Sequence, residues 1–163
     1  MIMKKVIVIG CPGGGKSTFS RKLRDKTGLP LRHLDMIWHR PDKTNITREA
    51  FDQALEAILH TNGWIIDGNY GCTMEKRIQM CDTVFFLDLP TEVCLQGALS
   101  RLGVKREDMP WVEEKMDDEF SEFITNFANC ERLQIYAILE KYPNKSVVIF
   151  RSHAEIDQYL KQL

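Results

Sequence analysis

Gly10-Cys11-Pro12-Gly13-Gly14-Gly15-Lys16-Ser17 is the stretch whose reading decides the fold. It satisfies the spacing G-x-x-x-x-G-K-[ST] of a phosphate-binding loop. Its surroundings agree. Lys4–Ile9 is a short β-branched run that ends at glycine and reads as a buried strand. Lys16 to about Lys26 reads as a helix, closed by Gly28 and Pro30. The residue types serve the chemistry. Glycines let the chain wrap tightly, so that amide hydrogens converge on phosphate oxygens. The helix beginning at Lys16 adds free N-terminal amides and the positive end of its dipole. Lys16 is placed to reach β- and γ-phosphates, the Ser17 hydroxyl to ligate Mg²⁺, and Thr18 to continue the cradle.

Working outward, the pattern alternates strand and helix. Further strands are predicted at Leu31–Leu34, Trp64–Ile66, Thr83–Leu87 and Ser146–Phe150. Helices are predicted from Arg48 to about His60, capped by Thr47, over Met74–Met80, from Thr91 to Leu102, and over His153–Leu163. A helical region opening at Pro110 runs toward Tyr142, with a break expected near Thr125–Asn129. Short continuous apolar strands between helices imply an α/β chain whose mainly parallel sheet is covered on both faces, a three-layer sandwich. With 163 residues and no linker or repeat, one domain spanning 1–163 is expected, with a small lid segment around 101–112.

Composition narrows the class. Apolar residues make up 44% and charged residues 28%, and the formal net charge is −1. That neutrality, with no basic or aromatic-basic pattern, argues against a nucleic-acid partner. The apolar run Val6–Ile9 is too short for a signal segment and no run reaches membrane-spanning length, so a cytoplasmic protein that does not enter the membrane is expected, as a monomer or homodimer. The five cysteines, Cys11, Cys72, Cys81, Cys94 and Cys130, form no metal-binding spacing and read as free thiols. Cys11, within the loop, could sense oxidation if exposed. A guanine-reading N-K-x-D is absent, because Asn144-Lys145-Ser146-Val147 lacks the aspartate. Among proteins with this loop, small kinases remain.

At this point the chain resembles the DNA topology modulation protein family, small P-loop kinase-like proteins related to adenylate and shikimate kinases. The resemblance covers almost the whole chain. It is carried by Ile9–Ser17, His33-Leu34-Asp35 with Trp38, Trp64-Ile65-Ile66-Asp67-Gly68-Asn69-Tyr70 with Arg77, Phe85–Asp88 and Val148–Ser152. It implies a P-loop NTPase, nucleoside-monophosphate-kinase-like fold, with a five-stranded parallel sheet in the order 2-3-1-4-5. By the same resemblance, Asp67 holds a Mg²⁺-bound water and Arg77 meets an anionic acceptor. The loop of Arg151 and Ser152 lies against the base of ATP. The lid here departs from the family's arginine-rich pattern: Arg101-Leu102-Gly103-Val104-Lys105-Arg106-Glu107-Asp108 is partly acidic.

The residues themselves suggest the remaining roles. Asp35 follows a strand and could orient or deprotonate an acceptor hydroxyl, or contact a substrate ring. Trp38 could stack on the acceptor or pack in the core. Asn69 and Tyr70 could add hydrogen bonds to the acceptor. His33 and His39 read as packing or surface histidines. Arg101 and Arg106 are the lid cations expected to stabilise charge on a transferring phosphoryl group. The resulting expectation is ATP·Mg²⁺-dependent phosphoryl transfer to a small anionic acceptor, a nucleotide or metabolite. The alternative is a nucleotide-binding regulator that hydrolyses ATP slowly with no acceptor.

Overall fold

The structure is a computed structural model and describes residues 2–163. Five strands, β1 (Lys5–Gly10), β2 (Leu31–His33), β3 (Trp64–Asp67), β4 (Thr83–Leu87) and β5 (Ser146–Phe150), form one sheet in the order 2-3-1-4-5. Every pairing is parallel. Among the described residues, eight helices connect and cover them: α1 (Lys16–Thr27), α2 (Leu34–Trp38), α3 (Arg48–Leu59), α4 (Gly71–Met80), α5 (Thr91–Ser100), α6 (Asp118–Asn126), α7 (Glu131–Lys141) and α8 (His153–Gln162). A 3₁₀ turn at Phe127–Asn129 separates α6 from α7, so the break falls where the sequence placed it.

The unbroken apolar run of β1 is explained by its two buried faces. Ile7 and Ile9 pack with α3, α4, α5 and α7 through Phe51, Leu55, Ile78, Cys94 and Ile135. Val6 and Val8 face the other way, onto Phe19 and Leu23 of α1 and Ile156 and Leu160 of α8. Phe19 there meets Phe85 and Phe150 edge-on at 5.0 and 5.4 Å. Local signals set the helix starts. The Thr47 side chain accepts from the Ala50 amide at 3.1 Å and caps α3 as expected.

The start expected at Pro110 is corrected. Helix α6 begins at Asp118, capped by Asp117, whose side chain accepts from the Phe120 amide at 2.6 Å. Residues 110–117 are irregular because tertiary contacts win. The Gly103 amide donates to the Glu113 carbonyl at 2.7 Å, and Arg106 pairs with the Glu113 carboxylate at 3.3 Å. The short α2, not foreseen, turns the chain directly after β2. Among the described residues, no helix is long and apolar enough to cross a membrane.

The parallel sheet places the carboxyl ends of all five strands on one edge. Ligands bind there in open α/β sheets. Gly10, His33, Asp67, Leu87 and Phe150 are the last strand residues on that edge.

Candidate active site

A cleft of about 1180 Å³ opens at that edge. Its floor includes Pro12, Gly13 and Gly15–Thr18, and its roof is the segment from Arg101 to Asp117. Gly13 and Gly15 have φ of 84° and 97°, left-handed values that favour glycine. Gly15 precedes α1 with no side-chain cap, and the first turn of α1 carries no acid. The amide end of this helix is therefore left for a ligand's negative charge. Lys16 Nζ reaches only the Cys11 carbonyl, at 3.4 Å. The Ser17 hydroxyl accepts from Arg21 Nη1 at 2.8 Å, an i,i+4 contact along α1 that its spacing could have shown. His153 Nε2 donates to the Gly14 carbonyl at 3.2 Å and also faces the cleft.

The loop is wedged from behind. A Cβ on Gly97 of α5 would sit 1.9 Å from the Gly13 carbonyl oxygen, and one on Gly13 would sit 2.0 Å from the Cys94 carbonyl oxygen. Gly97, which interrupts the apolar pattern of α5, thus lets the helix touch the loop backbone directly. Cys11 is buried beside Cys94. Its hydrogen bond with Cys94, and then burial, raise the thiol pKa well above its ordinary value. It is a neutral packed thiol, and the exposure that oxidation sensing needs is missing.

Asp67 and Asp35 both line the cleft. Asp67 is 6% exposed, and its Oδ2 lies 2.8 Å from Nδ1 of His33, which is 8% exposed. The register explains the pair, since His33 of β2 stands directly opposite Asp67 of β3. His33 is therefore a partner of the candidate metal-holding acid rather than an isolated packing residue. Asp35 Oδ1 accepts from the Tyr70 hydroxyl at 2.6 Å and lies 3.9 Å from His39 Nε2. Burial first, then Asp35, raise the Tyr70 pKa and keep the phenol neutral. His39 in turn meets Trp111 of the roof edge-on at 5.0 Å.

Arg101 and Arg106 also line the cleft. Burial, then the neighbouring Arg106, lower the Arg101 pKa. Arg101 Nε and Arg106 Nη1 are buried without a hydrogen-bond partner. Two desolvated cations with unused donors suit an added anion. The roof is fastened to α1 by Glu107, which pairs with Arg24 at 2.9 Å and Arg21 at 3.7 Å.

Four expected ligand contacts do not match their surroundings. Arg77 is fully buried and off the cleft. Its Nη1 donates to the Gly68 carbonyl at 2.9 Å, its Nη2 to the Asn69 and Tyr70 carbonyls, and its Nε to Thr73 Oγ1 at 3.1 Å. Four of its five N–H donors are committed inside the protein, and its burial keeps it from an acceptor in the cleft. Burial lowers its pKa to about 10. Asn69 lines the cleft, but its amide is committed to the backbone of Gly10: Oδ1 accepts from the Gly10 amide at 3.0 Å and Nδ2 donates to the Gly10 carbonyl at 2.6 Å. Trp38 is packed away from the cleft, edge-on to Phe51 and Tyr70 at 5.5 and 6.3 Å. Arg151 turns to Asp88, Nη1 to Oδ2 at 2.9 Å, and lines a separate cavity of about 290 Å³ with Arg132. Nothing local in the sequence announces these long-range hydrogen bonds.

No protein-family model and no curated protein matches the chain. Solved structures do. A shikimate kinase from Acinetobacter baumannii in complex with shikimate aligns over 98% of this chain and 90% of its own, with a TM-score of 0.65 at 14% identity. A shikimate kinase from Bacteroides thetaiotaomicron aligns over 99% and 96%, with 0.57 at 18%. An unliganded sugar kinase from Janibacter sp. HTCC2649 aligns over 99% and 92%, with 0.52 at 19%. The chain has the P-loop NTPase kinase fold.

Proposed function

We propose that this protein is a small-molecule kinase that transfers the γ-phosphoryl group of ATP to a small acceptor. The observation that carries the reading is the uncapped amide end of α1 behind Gly10–Ser17, opening into the same cleft as the unpartnered donors of Arg101 and Arg106. In this reading the loop amides and Lys16 hold the ATP phosphates. Arg101 and Arg106 stabilise negative charge on the phosphoryl group in flight. Asp35, aligned by Tyr70, orients the acceptor hydroxyl. Ser17 and Asp67 offer the hydroxyl and carboxylate oxygens that suit Mg²⁺, and Mg²⁺ bound there would neutralise phosphate charge. His33 fixes the Asp67 carboxylate. Catalysis is then mostly positioning and charge neutralisation.

Residues 101–112 act in this proposal as the lid of a single domain spanning 1–163, in a cytoplasmic enzyme. The likeness to a structure holding shikimate and to a sugar kinase supports a small hydroxyl-bearing acceptor. With Arg77 sealed, any negative charge on that acceptor falls to the cations that do line the cleft, Arg101, Lys105, Arg106 and Lys115 among them. Membership of the DNA topology modulation family rests on the Asp67-Gly68-Asn69-Tyr70 block and its partners. The test incubates the protein with labelled ATP·Mg²⁺ and a panel of nucleosides, nucleotides, sugars and hydroxy acids. Acceptor-dependent ADP release is expected. Slow ADP release indifferent to every acceptor overturns the kinase in favour of the slowly hydrolysing regulator.

A further inference from the structure

The β1–β3 ladder ends in backbone at Val8↔Asp67, with one further bond from the Gly68 amide to the Val8 carbonyl at 3.2 Å. Beyond it the β3 chain turns away, through Gly68 at φ 137° and Tyr70 at φ 38°. The ladder nevertheless continues for one more rung. The Asn69 side-chain amide presents one donor and one acceptor, as a peptide unit does, and pairs with both the carbonyl and the amide of Gly10. Gly10 is held from its other side by β4. It stands opposite Leu87, and a Cβ there would lie 2.4 Å from the Leu87 carbonyl oxygen. The first residue of the phosphate loop is thus fixed between a strand and a side chain. The side chain is fixed in turn, because the buried Arg77 guanidinium gathers the carbonyls of Gly68, Asn69 and Tyr70. From Tyr70 the connection passes to Asp35, on the other wall of the cleft.

We infer that Asn69, held in place by Arg77, is a positioning residue that sets the start of the phosphate loop against the Tyr70–Asp35 segment where an acceptor would lie. It touches no reacting atom. It acts through Gly10, and it converts a turn in the chain into a fixed distance between the two halves of the cleft. The inference rests on the reading of Gly10–Ser17 as a nucleotide loop.

Asn69→Asp is the informative variant, since it is isosteric. A neutral carboxylic acid keeps one donor and one acceptor, whereas a carboxylate loses the donor and sets negative charge against the Gly10 carbonyl. Binding of ADP·Mg²⁺ by calorimetry at pH 8, with apo thermal melts alongside, reads the effect. N69D is expected to bind about tenfold or more weakly than wild type, the order of one lost hydrogen bond. Arg77→Lys, which cannot span three carbonyls, should weaken binding in the same direction. A merely structural role would lower the melting temperature without this loss of affinity, and Ile135→Ala, a buried core variant on α7 away from the cleft, gives that comparison. N69D matching wild type in affinity, or losing no more affinity than Ile135→Ala at a comparable melting temperature, overturns the inference. Wild-type protein that binds no nucleotide, while K16A behaves identically, would instead overturn the loop reading on which it stands.

Discussion

Gly97→Ala poses a sharp conflict between local and tertiary effects. Position 97 lies inside α5, where alanine is favoured over glycine by about 1 kcal/mol. The added methyl, however, would sit 1.9 Å from the Gly13 carbonyl oxygen and 2.9 Å from its carbon. Ordinary contact begins near 3.4 Å, so helix and loop must separate by about 1.5 Å. No rotamer relieves the clash, because the obstacle is backbone. Overpacking of this kind costs about 1–3 kcal/mol, so the helix gain offsets only part of it and a net loss of about 0–2 kcal/mol is expected. The functional loss should be larger. A shift of about 1 Å in a positioned group can cost about a hundredfold in rate, and the loop would move by more than that. Urea unfolding gives the stability term, and calorimetry with ADP·Mg²⁺ gives the affinity. Gly71→Ala is the control, since nothing lies within 4 Å of the methyl it adds at the first residue of α4. A G97A protein that binds nucleotide as tightly as G71A would refute the steric argument.

Lys16→Ala should abolish nucleotide binding while leaving the apo melt within a few degrees, because Nζ makes one long contact in the structure; retained affinity would count against the loop reading. Asp67→Asn should raise the Mg²⁺ concentration needed for half-maximal ADP release at least tenfold, and His33→Ala should lower stability by about 1–3 kcal/mol in urea melts by unpairing a buried carboxylate. Asp88 is held by Arg132, Tyr136 and Arg151. Burial pulls its pKa up, but those partners outweigh it and the net shift is downward. A depressed carboxylate pKa gives stability that is present above the unfolded value of about 3.9 and lost as pH falls through the folded one. Asp88→Asn should therefore destabilise by about 1–3 kcal/mol at pH 7 and far less near pH 2; an equal deficit at both pH values would refute the linkage.

The parts of this protein that the sequence made legible are those whose cause is local. The phosphate loop is written in eight consecutive residues, and Thr47 caps the helix it precedes. The 3₁₀ turn at Phe127–Asn129 follows from the improbable length of an unbroken helix. The strand order came from resemblance and holds. What escaped depends on distant partners. Asn69 reaches Gly10 across 59 positions, and Arg151 reaches Asp88 across 63. Pro110 carried a valid helix-start signal that ion pairing around Glu113 overrides. Arg77 was read as an acceptor ligand through the resemblance, whereas a guanidinium is equally suited to collecting carbonyls.

That last residue has a bearing on stability. Burial lowers its pKa to about 10 in the fold, below its value in the unfolded chain, so the unfolded state holds the proton more strongly. Stability contributed by this group therefore rises as pH climbs through that interval, and at neutral pH the guanidinium is a net electrostatic burden on the fold. Removing the charge alone would relieve that burden, yet it would also strand the carbonyls of Gly68, Asn69 and Tyr70. The chain carries a permanent cation at the edge of its sheet, with carbonyl dipoles rather than a carboxylate as its hydrogen-bond partners. The hydrogen bonds that hold this cation therefore do not depend on a carboxylate that acid could protonate.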